Sequence, residues 1–417
     1  MADEKKRILV VGGGISGVTT AVEAAEAGYN VTLIERNPYL GGRVAQLTRY
    51  FPKLCPPYCG LEINFRRIKR NTLVDFYTMA QVESISGTEG NFHVKIKHSP
   101  RMVNDKCTAC NKCVDVCPVE RPNDFNFGLD KNKAIYLPHN MAFPMKYVID
   151  SKVCKGSACG KCKEVCKFGA IDFNEKEVIK ELDCASIVFA TGWSPYDAAK
   201  MENLGFGKIK NVITNMMMER YASNSGPTAG KIVRPSDNKA IESIAFVQCA
   251  GSRDENHLGY CSAVCCMATL KQASYVREQY PEAQIYIFYI DLRAPGKYEA
   301  FLQKSQADPL IKMIKGKVAK IEQDSAGGVI VTAEDIEGGG RIHQTVDMVV
   351  LATGMEPGLK GSGLKVDIKY QEDGFVAAEG QSAGFYAAGV AKRPADVTTS
   401  LQDATAMALK GIQSTYK

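Results

Sequence analysis

The 417-residue sequence lacks the features that mark several common protein classes. It contains one tryptophan, and its longest strongly apolar stretch, residues 285–290, is strand-sized, whereas a membrane-spanning helix needs about 20 apolar residues. No Ser-His-Asp order, H-E-x-x-H motif or P-loop occurs, and the net charge of +6 comes without a Lys/Arg block. These absences argue against hydrolases of those types, a membrane-spanning chain and a nucleic-acid-binding protein. No metal-like spacing connects the five histidines, which are His93, His98, His139, His257 and His343.

Cysteine is abundant, with fifteen residues and no secretory leader in front of them. This usage predicts a reducing cytoplasmic setting and a metal or redox role rather than disulfides. Eight cysteines form two tight runs, Cys107-x2-Cys110-x2-Cys113-x3-Cys117-Pro118 and Cys154-x4-Cys159-x2-Cys162-x3-Cys166. Zinc sites usually combine one C-x2-C pair with a distant second pair, so this spacing favours iron–sulfur clusters.

A C-x2-C-x2-C-x3-C-P run gives three thiolates to one [4Fe–4S] cluster and its fourth to the neighbouring cluster. The second run departs from this pattern through its wider first gap and through Lys167, which stands where proline is usual. We therefore predict a two-cluster ferredoxin with exchanged ligands. One cluster would be held by Cys107, Cys110, Cys113 and Cys166, and the other by Cys154, Cys159, Cys162 and Cys117.

The N-terminus carries a dinucleotide-binding fingerprint in its expected context. A short apolar run at residues 7–11 precedes Gly12-x-Gly14-x-x-Gly17, an alanine-rich helix follows, and a second apolar run ends at Glu35. The glycines let a pyrophosphate approach the N-terminus of a helix, and the acidic residue accepts a hydrogen bond from the ribose. The pattern predicts a Rossmann-type unit.

Further glycine motifs favour FAD over NAD. Gly41-Gly42-Arg43 resembles the second pyrophosphate motif of two-dinucleotide-binding flavoproteins, and Ala-Thr-Gly segments end apolar runs at residues 192 and 354. Residues 384–389 resemble the C-terminal FAD strand, although Val390 replaces the aspartate that usually contacts the ribityl chain, so Asp396 or a backbone group would have to substitute. The expected FAD-binding residues are Gly12, Gly14, Ile15, Ser16, Gly17, Glu35, Arg36, Gly41, Gly42, Arg43, Ala190, Thr191, Gly192, Gly354 and Gly389.

These motifs define an α/β fold class: a two-dinucleotide-binding-domain flavoprotein of the thioredoxin and glutathione reductase type, with an inserted two-cluster ferredoxin domain. The FAD-binding domain is predicted in three parts, at residues 1–100, 176–200 and 371–417. The ferredoxin occupies residues 101–175, and a domain resembling an NAD(P)-binding domain occupies residues 201–370.

The second dinucleotide-binding domain has lost its phosphate-binding glycines. Its first strand is followed by Cys249-Ala250-Gly251-Ser252-Arg253-Asp254 in place of a glycine-rich loop, and three further cysteines come soon after. One interpretation is a third [4Fe–4S] cluster, and the other is a mixture of buried and reactive thiols. The cluster would be ligated by Cys249, Cys261, Cys265 and Cys266.

Two other features leave alternatives open. Cys55 and Cys59 flank two prolines and could form a flavin-linked redox disulfide, serve as extra cluster ligands or be a structural loop pair. Five lysines and one glutamate lie between residues 151 and 167. They form either a docking patch for an acidic redox partner or an ordinary solvated surface.

The assembled motifs resemble the HdrA family, the flavoprotein subunits of heterodisulfide reductases, over nearly the whole chain. The resemblance includes the ferredoxin insertion, residues 226–237, the 249–254 turn and the Tyr260-Cys261-Ser262-Ala263-Val264-Cys265-Cys266 segment. The short length, without additional cluster modules, is similar to the QmoA subfamily of quinone-interacting membrane-bound oxidoreductase complexes.

The resemblance implies an FAD and iron–sulfur oxidoreductase subunit of a cytoplasmic complex. In the Qmo type, its partners would be a homologous HdrA-like flavoprotein and a quinone-interacting membrane subunit that attaches it peripherally to the inner membrane. Adenylylsulfate reductase would be the soluble redox partner, in sulfate respiration. The alternative function is an NAD(P)H-dependent disulfide or ferredoxin oxidoreductase that uses Cys55 and Cys59. A third hypothesis is a relay and scaffold subunit whose flavin does no net chemistry.

Overall fold

A computed structural model describes residues 6–360, 364 and 366–417, so residues 1–5, 361–363 and 365 of the predicted domains lie outside the described residues. The chain divides into two compact units. The first contains the residues up to 193, 357–393 and 397–417, and the second contains 194–356 and 394–396. The second unit therefore ends before the predicted boundary at 370. After the second unit, the chain re-enters the first unit at residue 357. There, Gly358 N donates to Gly192 O at 3.0 Å.

The described residues contain twenty-two strands, which are numbered in chain order. They are β1 (Ile8–Val11), β2 (Val31–Glu35), β3 (Val74–Thr78), β4 (Ala80–Thr88), β5 (Asn91–His98), β6 (Glu120–Pro122), β7 (Lys131–Lys133), β8 (Ile135–Tyr136), β9 (Val148–Ile149), β10 (Val178–Cys184), β11 (Ser186–Phe189), β12 (Trp193–Pro195), β13 (Val212–Thr214), β14 (Ser243–Ala250), β15 (Gln284–Tyr289), β16 (Ile311–Lys315), β17 (Val318–Gln323), β18 (Val329–Glu334), β19 (Arg341–Val346), β20 (Met348–Thr353), β21 (Met355–Pro357) and β22 (Phe385–Ala387).

Eight α-helices occur in the same described residues. They are α1 (Ile15–Glu26), α2 (Tyr58–Arg70), α3 (Lys112–Asp115), α4 (Lys161–Glu164), α5 (Asn215–Tyr221), α6 (Cys265–Gln279), α7 (Glu299–Gln306) and α8 (Val397–Ser414). None of them is long and apolar enough to qualify as a membrane-crossing segment.

The first unit is built on a five-stranded parallel sheet in the order β22-β11-β1-β2-β3. Its central strands are buried almost throughout and are mainly apolar, as expected for a sheet that is covered on both faces. Helix α1 buries Val18, Ala21 and Val22 against this sheet. The strand–loop–helix unit at residues 8–26 therefore places the first glycine motif at the carboxyl end of β1, where parallel sheets bind ligands.

The second unit repeats this plan in a five-stranded parallel sheet ordered β13-β20-β14-β15-β16. β14 is flanked by β15 and β20 as β1 is flanked by β2 and β11, and α6 follows β14 as α1 follows β1. The loop at residues 251–264 thus occupies the position that a nicotinamide phosphate loop would take in a second dinucleotide-binding domain.

The ferredoxin-like segment leaves the first unit between two adjacent strands. β5 and β10 pair directly in antiparallel register, with His98 opposite Val178, so residues 99–177 form an excursion that starts and ends at the same point. A bridge between Val103 and Ile171 closes its base. Its core is small and includes Cys162 beside Val103, Ile135, Tyr147, Ile149, Ala170 and Ile171. A core of this size gains much of its stability from bound metal or other cross-links.

Candidate redox site

The first glycine loop has steric requirements that only glycine meets. Gly12 adopts a positive φ of 112°, and a Cβ there would lie 2.3 Å from Ala190 O. A Cβ at Gly17 would lie 1.8 Å from Gly12 O. These two glycines allow α1 to pack closely on β1 and β11, which matches two of the roles that glycines play in a dinucleotide fingerprint.

The two glycine motifs meet at the N-terminus of α1. Gly41 N donates to Gly13 O at 2.7 Å, and a Cβ at Gly42 would lie 2.9 Å from Gly14 Cα. A Cβ at Gly14, by contrast, would find no described atom closer than 4.0 Å. The structure therefore forms a bare backbone cradle at the first turn of α1. Helix N–H groups have no intrahelical acceptor in a first turn, so the cradle fits the pyrophosphate of FAD.

Glu35 ends β2 beside this cradle and is buried. Its Oε2 accepts from Gly13 N at 2.7 Å, and its Oε1 accepts from Asn37 N at 2.7 Å. Burial raises the pKa of the Glu35 carboxyl, while these hydrogen bonds act in the opposite direction. The carboxylate is thus fixed at the position where the fingerprint places the ribose acceptor. The sequence gives no sign of the Gly13 bond, since nothing in the motif marks the second of three consecutive glycines.

Arg43 and Thr191 add polar groups to the same unit. The Arg43 guanidinium donates to Gln46 Oε1 at 3.0 Å and lies 5.9 Å from the ring centroids of both Phe127 and Trp193. Burial lowers its pKa. Thr191 Oγ1 is buried and has no hydrogen-bond partner among the described residues. An unsatisfied buried hydroxyl at the end of β11 fits a site in which a bound cofactor completes the hydrogen bonding.

Gly389 of the C-terminal glycine motif lies against the first turn of α1. A Cβ at Gly389 would lie 2.2 Å from Ser16 Oγ, and Gly389 N donates to Asp403 Oδ2 at 2.7 Å. Asp403 also pairs with Lys392. Asp403 lies on α8, and no sequence motif points to it. Asp396, one of the proposed ribityl contacts, is grouped with the second unit.

Two expected FAD-binding residues do not join the cradle. Arg36 is exposed to solvent. Gly354 belongs to the second unit, where a Cβ would lie 2.3 Å from Ser252 Oγ and 2.9 Å from Ser262 Oγ. Gly354 therefore packs against the cysteine-bearing loop at residues 251–264.

The two ferredoxin cysteine runs interleave as the spacing predicts. An empty space of about 340 Å³ is lined by four cysteines, one from the first run and three from the second: Cys117, Cys154, Cys159 and Cys162. A space of about 360 Å³ is lined by the complementary set, Cys107, Cys110, Cys113 and Cys166. Each set combines three cysteines of one run with the last cysteine of the other, which is the same grouping as in the two predicted ligand sets.

The two halves of the insertion are related by local pseudo-symmetry. Helices α3 and α4 each begin after a residue in the left-handed region, Asn111 at φ 68° and Gly160 at φ 62°. Each of these residues directly follows the second cysteine of its run and precedes the short helix that carries the third. The wider first gap in the second run is taken up by a 3-10 turn at Gly156–Ala158. Both runs can therefore wrap a cubane despite their different spacing.

Contacts with the sulfur atoms are of the kind that ligating thiolates use. Backbone N–H groups of Gly156 and Ala170 donate to Cys154 Sγ at 3.3 Å and to Cys166 Sγ at 3.4 Å. Burial, followed by neighbouring thiols, raises the pKa of Cys113 to about 12 and that of Cys162 to about 11. Among the described residues, no three His, Cys, Asp or Glu side chains are grouped closely enough to hold a single metal ion. The four ligands of a four-iron cluster lie farther apart than the ligands of a single ion, so this result does not bear on a cluster.

The four remaining candidate ligands gather in the second unit. Cys249 lies near the end of β14 with a positive φ of 54°, and Cys265 and Cys266 begin α6. Burial is the main cause of the raised pKa of Cys265, and the thiols of Cys249, Cys266 and Cys261 raise it further. Ala263 N donates to Cys261 Sγ at 3.4 Å.

Loop contacts hold this second-unit cysteine group in place. Ser252 Oγ and Ser262 Oγ are 2.8 Å apart, and Met355 N donates to Ser262 Oγ at 2.9 Å. Arg253 pairs with Asp291 at 2.9 Å, and the Cys249 thiol is also among its neighbours. His257 bonds Tyr196 through Nδ1 at 2.8 Å. The loop at residues 251–264 is thus held by a hydrogen bond within it and by contacts with Met355, Asp291 and Tyr196 outside it.

Cys55 lies in the loop that leads into α2, and Cys59 lies in the first turn of that helix. Tyr50 N donates to Cys55 O at 3.2 Å, and Cys59 is exposed in the first turn of the helix. Burial raises the pKa of Tyr50, and both thiols add to this effect. Cys184 is buried in β10 and faces the core of the first unit, away from these groups.

The ferredoxin insertion packs directly on the flavin motif. Leu40 N donates to Phe143 O at 2.8 Å, and Gln46 Nε2 donates to Phe125 O at 3.0 Å. Arg101 is buried, and its guanidinium bonds Tyr147 O at 3.1 Å and Thr78 Oγ1 at 3.0 Å. Burial lowers its pKa to about 10. Residues 38–46, which carry the second glycine motif, are therefore hydrogen-bonded to the ferredoxin insertion.

The fold and the glycine cradle define a two-dinucleotide-binding flavoprotein that contains a ferredoxin motif. Residues 7–106 match the FAD dependent oxidoreductase family, and residues 100–120 match the 4Fe-4S binding domain family. The thioredoxin reductase of T. acidophilum aligns over 100% of both chains with a TM-score of 0.53 and 15% identity. The Lactococcus lactis enzyme aligns over 99% of both chains with a TM-score of 0.54 and 13% identity. The predicted fold class is confirmed.

More specifically, the chain is an HdrA-like flavoprotein, similar over nearly its whole length to the A subunits of heterodisulfide reductases. It is 40% identical, over 98% of its length, to an A-type iron-sulfur subunit of the CoB–CoM heterodisulfide reductase of Methanopyrus kandleri, and it covers 64% of that protein. It is 36% identical, also over 98% of its length, to the A-type subunit of the ferredoxin/F420H2-dependent CoB–CoM heterodisulfide reductase of Methanosarcina acetivorans, of which it covers 53%. The chain therefore spans about half to two thirds of the length of these curated relatives.

Proposed function

We propose that this chain moves electrons between FAD and three [4Fe–4S] clusters within an HdrA-like complex, and that it accepts none from a nicotinamide. The observation that carries the proposal is the loop after β14. In the first unit, residues 12–14 join β1 to α1 as a bare glycine turn. In the second unit, residues 251–264 join β14 to α6 as a long loop with cysteines around both of its ends.

The loop at residues 251–264 lacks the glycine-rich backbone that would bind the pyrophosphate of a nicotinamide dinucleotide. A pyrophosphate binds where glycine backbone approaches it and helix N–H groups point at it. At the start of α6 the side chains of Cys265 and Cys266 are buried instead, and Gly251 packs against Tyr196. Four soft thiol ligands in a polar, ordered loop suit an iron–sulfur cluster better than a phosphate.

The arrangement in the first unit supports electron exchange between carriers of different capacity. FAD, when bound, would hold up to two electrons and can exchange them one at a time or as a pair, whereas each cluster carries one. The glycine cradle, Glu35 and Arg43 would hold the flavin nucleotide. The insertion that packs on residues 38–46 would hold two clusters through the exchanged cysteine sets. No small-molecule substrate is required by this chain in the proposed role.

The absence of a nicotinamide reaction is testable on the purified holoprotein. We expect that excess NADH or NADPH, added without oxygen, leaves the flavin absorbance at about its starting value for minutes, while dithionite bleaches it at once. The measurement is anaerobic stopped-flow absorbance. A rapid bleaching by either nucleotide would contradict the proposal and favour the NAD(P)H-dependent oxidoreductase. In that case Cys55→Ser and Cys59→Ser should abolish disulfide reduction but leave bleaching intact.

The finer assignment that we propose is a Qmo-type complex in sulfate respiration. In it, the chain would lie beside a homologous flavoprotein on the cytoplasmic face of the inner membrane and would pass electrons between adenylylsulfate reductase and a quinol-linked membrane subunit. Its support is the sequence resemblance to that subfamily. Affinity purification from detergent-solubilised membranes should recover both partner subunits, and a menaquinol analogue should reduce the chain. Recovery with a CoB–CoM heterodisulfide-reducing subunit instead would overturn this assignment.

A further inference from the structure

The second cysteine run carries a concentrated positive charge that the rest of the insertion does not share. Five lysines, all exposed, lie within residues 151–167 with Glu164 as the one acidic residue: Lys152, Lys155, Lys161, Lys163 and Lys167. None of the five forms an ion pair with any residue that the structure describes. We call these five side chains the lysine patch.

Several other charges of the insertion are, by contrast, paired. Glu120 lies 3.5 Å from Lys131 and 3.2 Å from Lys133, across the β6–β7 hairpin. Arg121 lies 2.8 Å from Asp150. Local pairing cancels the field of these groups, whereas the lysine patch presents an uncompensated field to solvent. An ordinary solvated surface would mix the two signs, as the β6–β7 hairpin does.

The lysine patch borders the candidate clusters. Lys155 and Lys161 line the same space as Cys117, Cys154, Cys159 and Cys162. Two large apolar side chains are exposed beside these lysines in the sequence, Val153 at 39% and Phe168 at 48%, and Phe168 lines the space around the other cysteine set. Exposed apolar side chains among charged ones are typical of transient protein interfaces.

We propose that this face is the docking site for an acidic, single-electron carrier protein, and that electrons enter or leave the chain there. The inference rests on the proposed electron-transfer function. In each encounter one electron passes from the reduced chain to the carrier, so the chain is oxidised by one electron and the carrier is reduced by one. No bond is formed or broken between the two proteins, and a carrier that is protonated on reduction, such as flavodoxin, takes its proton from water. The opposite charges raise the encounter rate, and salt screens them.

The test uses the holoprotein, reduced with dithionite that is then removed, and an oxidised acidic flavodoxin as the probe. At an ionic strength of about 10 mM, where charges act over about 30 Å, we expect the wild type to reduce flavodoxin rapidly. K152Q/K163Q/K167Q should be slower by a factor on the order of 10 or more. The two rates should converge at about 1 M salt, where charges act over only about 3 Å. This variant keeps the two lysines that line the cluster space.

A matched control removes the same charge elsewhere. Lys69, Lys304 and Lys410 are also exposed and make no ion pair within the described chain, so K69Q/K304Q/K410Q should reduce flavodoxin within about twofold of the wild type. Titration calorimetry with oxidised flavodoxin should show weaker binding for the patch variant alone. Unchanged iron and FAD contents in both variants would show that the folded site is intact.

Neutral duroquinone separates failure of the docking site from failure of the function. Reoxidation of the reduced chain by duroquinone at one rate in all three proteins, with slower flavodoxin reduction in the patch variant, supports the docking site. Flavodoxin rates that are equal in all three proteins would overturn the docking site and leave the function standing. Failure of both acceptors to reoxidise the chain would overturn both. Patch-dependent binding to phosphatidylglycerol vesicles, with unchanged flavodoxin rates, would identify a lipid surface instead and would also overturn the docking site.

Discussion

Serine at any one of four second-unit cysteines should lower the iron content from about twelve to about eight atoms per FAD. The four variants are Cys249→Ser, Cys261→Ser, Cys265→Ser and Cys266→Ser. The physical reason is that Cys249 lies near the end of β14, Cys261 lies in the loop that follows, and Cys265 and Cys266 begin α6. In the proposed cluster, each thiol would supply one corner. The measurement is iron and acid-labile sulfide per flavin on protein purified without oxygen.

The EPR spectrum of the reduced protein tests the same prediction more strictly than the iron content does. All four variants should lose the same component of the reduced EPR spectrum and should keep the two components that belong to the insertion. Cys184→Ala is the matched control, because Cys184 is 3% exposed in the core of the first unit and belongs to none of the three cysteine groups. It should retain about twelve irons per FAD. Retention of the full iron content by the four second-unit variants would refute the third cluster and return these thiols to disulfide chemistry.

Local sequence signals are strongest where one short segment builds a complete structural unit. The strand, glycine turn and helix at residues 8–26 can be predicted directly, since an apolar run, three spaced glycines and an alanine-rich segment all indicate the same unit. The ferredoxin insertion can be predicted from the sequence just as directly. Its cysteines begin and end within the excursion between β5 and β10, and their spacing by itself indicates that Cys117 and Cys166 change places.

Sequence signals fail where a contact joins distant segments or depends on the path of the returning chain. Asp403 reaches Gly389 from a helix whose motif carries no cofactor signature, and Gly13 is bonded to Glu35 only because β1 and β2 are neighbours. Gly354 shares an Ala-Thr-Gly motif with Gly192, yet the structure places it against Ser252 in the second unit. A repeated motif in a duplicated fold marks equivalent positions, and equivalent positions need not serve the same ligand.

Gly14→Ala should produce a folded protein that contains little or no FAD. A Cβ at Gly14 meets no described atom closer than 4.0 Å, and φ at this residue is −71°, which alanine adopts freely. The added methyl group would occupy the bare cradle between the two glycine motifs, where the pyrophosphate needs the backbone N–H groups at the start of α1. We expect an affinity loss of at least about 1000-fold, or about 4 kcal/mol. Flavin fluorescence after denaturation, together with circular dichroism of the folded protein, measures both properties.

Two comparisons make this result specific to the flavin site. Gly17→Ala should be less stable as well as flavin-poor, because its Cβ would lie 1.8 Å from Gly12 O. Gly259→Ala, at a position with open space around it in the second unit, should keep both fold and flavin. If Gly14→Ala retained stoichiometric FAD, the cradle would not be the pyrophosphate site.

If the flavin-free protein kept full turnover in its complex, the flavin would do no net chemistry and the relay hypothesis would replace the proposed function. Loss of turnover with all clusters in place, in contrast, follows only if the clusters exchange their electrons through the flavin.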